Sequence, residues 1–340
     1  MLNETALHLK LKGDFRMKKL VTSLITMLVS LLLIFFVIQA MPGDPVDTLA
    51  QEYIRTSQLP YDQAYNKAKL ALNYDPDIPV VERFVSYVKG ILSGNLGQSM
   101  SFKESVTIIV LGALPWTLLV CSISLFLSFT VGVILGIYIA WKRSKILDGV
   151  LTGYQAILGS IPDYIVAYLL VLLFSLTLGL LPSKGAYNSS VTPGFNIGFI
   201  ANVLKHATLP ILAYFLTTLA GWVMGMKANC MSVLGEDYIN YAKARGISDR
   251  RIVFSYLGRN AMLPMVTSVA ISFGMMFGGS PLIENLFVYP GVGYYLTTAI
   301  SRRDYPLMQG MFLMIIVMVL LSGIFAEFLN TKLNPRLREK

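Results

Sequence analysis

The stretch NCMSVLGEDYINYAKARGISDRRIVFSYLGRN, residues 229–260, is a polar interruption between two long apolar runs, and the reading of the whole chain follows from it. From Glu236 to Gly246 it carries acids in the first turn, Lys243 and Arg245 in the last, and glycine where a C-terminal cap belongs, which predicts a short helix. Ser248 or Asp249 suits the N-cap of a second helix. Ile252, Val253, Tyr256 and Leu257 then recur at helical spacing until Leu263-Pro264 opens the next apolar run. Two short helices held between apolar runs make a docking surface at a membrane face.

Working outward, the chain is more apolar than a soluble domain requires. Of its 340 residues 55% are hydrophobic and 14% charged, with a mean hydropathy of +0.62; soluble domains carry roughly 25% charged residues. An all-α polytopic membrane protein is the class implied. Lys and Arg separate by side: 18 lie before the first apolar run, around Lys142, between Lys227 and Arg259 and after Asn330, while 10 lie in the remaining loops. The positive-inside rule puts the first set, and both termini, in the cytoplasm. That basic face suits anionic membrane lipid, and no nucleic-acid partner is needed to explain it. Cys121 lies within an apolar run and Cys230 at the edge of another, which argues against a disulfide. His8 and His206 cannot make a metal site, so no metal ligands are assigned.

Six spans are expected. Residues 1–19 form a cytoplasmic extension, the first 16 of them a disordered or surface-lying tail, and residues 20–40 make an uncleaved anchor long enough for a hydrocarbon core of roughly 30 Å. Residues 41–114 form an external insertion with amphipathic helices at 61–73 and 80–92. A short surface helix is expected at 103–112, because the apolar run 106–140 is too long for one span. Residues 115–329 hold spans two to six, at 115–141, 161–181, 208–230, 263–283 and 307–329, with the loop 229–260 in the cytoplasm. The overlong run 146–181 breaks at Gly159 to Asp163, which leaves 146–158 at the inner leaflet. Gly132 with Gly136, and Gly221 with Gly225, have the spacing that admits a neighbouring helix. Residues 330–340 are a basic cytoplasmic tail.

The loop resembles that of binding-protein-dependent ABC importer permeases. Ala242, Gly246, Leu263 and Pro264 fit the family's wording, and Tyr238, Ile239, Ala242, Ala244 and Gly246 follow its dipeptide/oligopeptide branch; Asn240 and Tyr241 depart from the general pattern. The segments 41–45, 93–99, 283–293, 303–306 and 334–336 resemble that branch too, while Pro281 in the fifth apolar run departs from the family's usual wording. The resemblance implies a type I ABC importer permease fold with six transmembrane helices and an external insertion between the first two. It also implies residence in a bacterial or archaeal cell membrane. Implied partners are a second homologous permease, two ATP-binding subunits and an external or periplasmic solute-binding protein. ATP and Mg would be bound by those partner subunits, with no cofactor in this chain. Tyr238, Ile239, Ala242, Lys243, Ala244, Arg245 and Gly246 would couple to an ATPase, with Ala242 and Ala244 small enough to sit against its groove. Asp163 is either a contact for a peptide's amino group or a helix-start carboxylate near the headgroups; with Pro162, Gly274 and Gly278 it makes the candidate translocation pathway. Substrates implied are di- or oligopeptides, with nickel chelates, opines or another small solute as alternatives.

The chain lacks G-x-x-x-x-G-K-[ST], so it cannot cradle nucleotide phosphates. It also lacks G-x-S-x-G, H-E-x-x-H and paired carboxylates within the spans, so no catalytic residue is assigned. An ion-coupled secondary transporter is the rival reading. It would call for more intramembrane ionisable residues than Asp163 and Glu327, and for an inverted repeat.

Overall fold

The computed structural model describes residues 2–41, 43–72, 78–276 and 281–333. Pro42, Asn73, Gly278 and the tail from residue 334 lie outside them. Among the described residues the regular structure is helical, apart from an isolated bridge between Gln98 and Ser105. The chain divides into two units, Met1–Leu111 with Thr298–Leu320, and Gly112–Thr297 with Leu321–Lys340.

In the first unit α1 runs over Leu2–Gln39, so the expected tail is helical from its second residue. Its Leu, Lys, Ala and Glu are good helix formers, and no proline interrupts them. A further helix not anticipated from sequence, α2 (Pro45–Ser57), starts where the Asp44 carboxylate accepts the Val46 N–H at 2.8 Å, with proline at the first helical position. It packs on α3 (Tyr61–Leu72) through Val46, Leu49, Ala50, Ala64 and Ala68. The amphipathic α4 (Val80–Leu92) follows. Two of the segments that resemble the peptide branch then meet: the fully buried Asp304 accepts from the Ser99 hydroxyl, from Ser101 N–H at 2.9 Å and from Leu307 N–H at 3.2 Å. The last of these bonds caps α14 (Tyr305–Leu333).

The expected surface helix at 103–112 does not form as a separate element. Val106 instead begins α5 (Val106–Lys142), a single helix that passes through Pro115. Proline costs a helix interior about 3 kcal/mol through its missing N–H and a clash with the carbonyl four residues back. Burial of Ile109, Val110 and Ala113 before it and Val120 after it outweighs that.

In the second unit α6 (Lys145–Leu158) and α7 (Asp163–Leu170), continued by a wide π turn over Val171–Thr177, meet at the anticipated break with a bend of 97°. An ion pair from Lys227 to Asp148 and a hydrogen bond from the Tyr154 hydroxyl to the Leu216 carbonyl hold α6 against α8 (Ile197–Leu234). That helix starts eleven residues before the expected position at 208. Asn196 accepts the Phe199 N–H at 2.8 Å as its N-cap, and buried Val203, Ala207 and Leu209 carry the helix through Pro210. Gly132 and Gly136 of α5 do admit a helix: a Cβ at Gly136 would lie 2.7 Å from Met226 Cβ, and one at Gly132 would overlap Trp222. Gly225 faces Met265, but Gly221 has nothing within 4 Å. The unit continues through α9 (Asp237–Ala244), α10 (Asp249–Arg251), a second π turn (Ile252–Gly258), α11 (Arg259–Met276), α12 (Pro281–Leu286) and α13 (Val292–Arg302). The second loop helix and the fifth apolar run are therefore one helical path from Asp249 to Met276, not two elements.

Among the described residues α1, α5, α8 and α14 are long and apolar enough to cross a membrane, with a fifth crossing if α6 and α7 make one broken span.

Candidate functional site

The polar loop is built from its own side chains upward. At Leu234 the chain leaves α8, turns at Gly235 and enters α9 after Glu236, whose side chain makes no capping bond. The helix closes on a Schellman motif: Ile247 N–H bonds the Ala242 carbonyl at 3.2 Å and Gly246 N–H bonds the Lys243 carbonyl at 2.9 Å. This requires a left-handed residue, and Gly246 has φ +69°. Ser248 stands at the next N-cap, again without a side-chain bond.

The periodicity of α9 sorts its residues into two faces. Ile239 and Ala242 are buried, 0% and 3% exposed, against Ile252, Trp141, Val233, Leu234, Ile247 and Tyr256. Ala242 therefore faces the chain's own core, which corrects the expectation that it lies against a partner groove. Tyr238, Tyr241, Lys243, Ala244, Arg245 and Gly246 are on the exposed side, with Tyr241 71% accessible. Lys243 also places its ammonium 5.2 Å above the Trp141 ring at the end of α5. Beyond them Phe254, Arg250 and Arg251 are exposed as well. The result is an aromatic and basic surface on a helix anchored to α5, α8 and the π turn that leads into α11. Such a surface can accept a groove of another protein.

The pathway candidates are spread over separate helices. Asp163 is the half-buried first residue of α7, after the exposed Pro162, and its carboxylate accepts the Tyr164 N–H at 2.8 Å. That is the geometry of a helix-start carboxylate. Gly274 is buried within α11.

A polar network that sequence reasoning did not single out lies on the opposite side of the apolar runs. Glu284 of α12, 4% exposed, accepts from the Thr117 hydroxyl at 2.8 Å, from Gly293 N–H at 2.7 Å and from Tyr294 N–H at 3.2 Å. Thr117 in turn accepts the Val292 N–H at 2.9 Å. Burial pushes the Glu284 carboxyl up from its ordinary value, while the hydrogen bonds from Thr117, Tyr294 and Gly293 hold it down. The glycines of the 289–293 turn are the sequence signal for it. A Cβ at Gly291 would meet Glu284 and lie 2.5 Å from Thr117 Oγ1, and one at Gly293 would lie 2.7 Å from Pro281 Cα.

Comparison with known proteins places these features in one group. Residues 132–339 match the family described as binding-protein-dependent transport system inner membrane component. The chain is 31% identical to a di/tripeptide transport system permease protein of Pseudomonas aeruginosa (strain UCBPP-PA14), covering 91% of this chain and 94% of the relative. It is 30% identical to a dipeptide transport system permease protein of Escherichia coli (strain K12), over 91% and 94% of the two chains. An oligopeptide transport system permease protein of Bacillus subtilis (strain 168) is 27% identical over 90% and 93%. The short loop helix, the apolar runs around it and a match across 208 of the 340 residues agree: this chain belongs to the family of inner membrane components of binding-protein-dependent transport systems.

Proposed function

We propose that this chain is one of two homologous permease subunits of an ATP-driven importer, and that its cargo is di- or oligopeptides delivered by an external solute-binding protein. The cargo reading is supported by relatives whose names specify dipeptides, di/tripeptides and oligopeptides, each matched over 90% or more of this chain. Six spans with both termini in the cytoplasm make half of the pathway. α7 with the π turn that continues it supplies the third span, with α6 at the inner leaflet, and α11 supplies the fifth. Asp163, Pro162 and Gly274 line that pathway. ATP and Mg are bound by two partner ATPase subunits, and hydrolysis occurs there.

One observation carries the coupling role. The helix α9 is fastened to its own chain by Ile239 and Ala242 and turns Tyr238, Tyr241, Ala244 and Arg245 outward. A rigid helix presented this way can seat in one ATPase subunit and move with it, so that ATP biases the spans between two states. The test is the assembled complex carrying Tyr241→Ala. Aromatic side chains at the centre of an interface often dominate its energy, so recovery of ATPase subunits with the permease should fall about tenfold or more, with uptake falling alongside. Wild-type recovery and uptake would remove α9 as the contact.

A further inference from the structure

Asn260 lies in the first turn of α11, three residues before Leu263, and its side chain makes two contacts at once. Its Nδ2 donates to the Tyr256 carbonyl at 2.7 Å and to the Tyr238 hydroxyl at 3.2 Å. Tyr256 belongs to the π turn Ile252–Gly258, and Tyr238 belongs to α9. A π turn spreads the backbone ladder to a spacing of five residues, and such turns are rare and concentrated at functional sites. A few residues on, Pro264 removes the N–H that would meet the Asn260 carbonyl, so the start of α11 has a second weak point in its ladder. One amide thus joins the docking helix to the backbone of the element that leads into the fifth apolar run.

The position of the π turn between two cores gives this contact its use. Ile252 is buried beneath α9 with Ile239 and Ala242, while Leu257 is buried against Met226, Cys230 and Met265 among the apolar runs. Ile239 and Ala242 hold α9 by apolar contact, which is not directional and allows a helix to roll on its seat. A hydrogen bond has a preferred length and angle, and it resists that roll. We infer that Asn260 is a positioning residue for coupling, relaying displacement of α9 to α11 by holding the Tyr238 hydroxyl and the Tyr256 carbonyl together. This rests on α9 being the ATPase contact. When α9 rolls, the Asn260 amide is drawn with Tyr238 and the π turn loses the donor that steadies it.

The test uses the full importer in liposomes with loaded solute-binding protein, reading substrate moved per ATP hydrolysed. Asn260→Ala should leave the ATPase subunits bound in wild-type amount and lower that ratio about threefold, the scale at which residues between two sites modulate coupling, and Tyr238→Phe should lower the ratio as far. Asn260→Asp keeps the shape and can accept from the Tyr238 hydroxyl, but it has no N–H for the Tyr256 carbonyl, so it too should lower the ratio. The Tyr238→Phe/Asn260→Ala double variant should be no worse than the worse single, because both remove one linkage. Wild-type ratios in the Asn260 variants, or a double variant whose loss is the product of the singles, overturn the relay. So does loss of the ATPase subunits from the Asn260 variants, or failure of both to assemble, since Asn260 would then serve docking or folding. A Tyr241→Ala complex that docks and transports normally shows instead that the coupling role of α9 has failed, and the relay falls with it.

Discussion

At the scale of single residues, Glu284 and Ala242 show how far environment decides what a side chain does. Glu284 collects three donors in a buried site, so Glu284→Ala leaves the Thr117 hydroxyl and two backbone N–H groups without their acceptor. Each unsatisfied group costs about 1–3 kcal/mol, and a total near 3 kcal/mol is expected, read as a lowered Tm in detergent. Glu284→Gln retains an acceptor and should lose less. Gly291→Ala should cost about 2 kcal/mol by overpacking against Glu284 and Thr117, whereas Gly221→Ala, with open space around it, should leave Tm unchanged. Equal effects of the two glycine substitutions would show that the 289–293 turn is not packed as described. The glycines of the 289–293 turn marked the neighbourhood of Glu284 in the sequence but not its burial, which depends on Thr117, 167 residues away. Ala242 was legible as a small residue in a short helix. Its direction was not, since it is set by the core beneath α9.

At the scale of elements, the loop and its neighbours separate packing from docking. Ile239→Ala removes a fully buried side chain from beneath α9 and should cost about 2–4 kcal/mol locally, read as faster proteolysis within residues 235–250. Tyr241→Ala, on the exposed face, should leave that proteolysis unchanged. Equal cleavage rates would remove the two-faced account of the helix. Gly132→Leu should force α5 away from α8 at Trp222, lowering Tm, while the same change at Gly221 should not. The spacing of both glycine pairs was visible in the sequence, but only one pair meets backbone in this chain. Helix ends were harder to read at prolines. The three helices α5, α8 and α11 run through Pro115, Pro210 and Pro264, because buried neighbours on both sides outweigh the lost backbone bond.

At the scale of the whole molecule, the predictions concern sidedness and energy. A cysteine probe at Gln63 or Asn188 should be modified by a membrane-impermeant reagent added from outside, and one at Asp249 should be spared; the reverse pattern would end the six-span topology. The purified chain alone should hydrolyse no ATP, and the assembled complex should. Class and the short helix with its Gly246 terminus came from the sequence itself, as did the expected sidedness. They depend on composition, on charge counted by loop and on local backbone preferences, all of which act along the chain. The buried Glu284 and Asp304 networks, the inward face of α9 and the Asn260 contact came only from tertiary structure. Each depends on which distant residue supplies the donor or the covering side chain, and a linear pattern of residues does not contain that information.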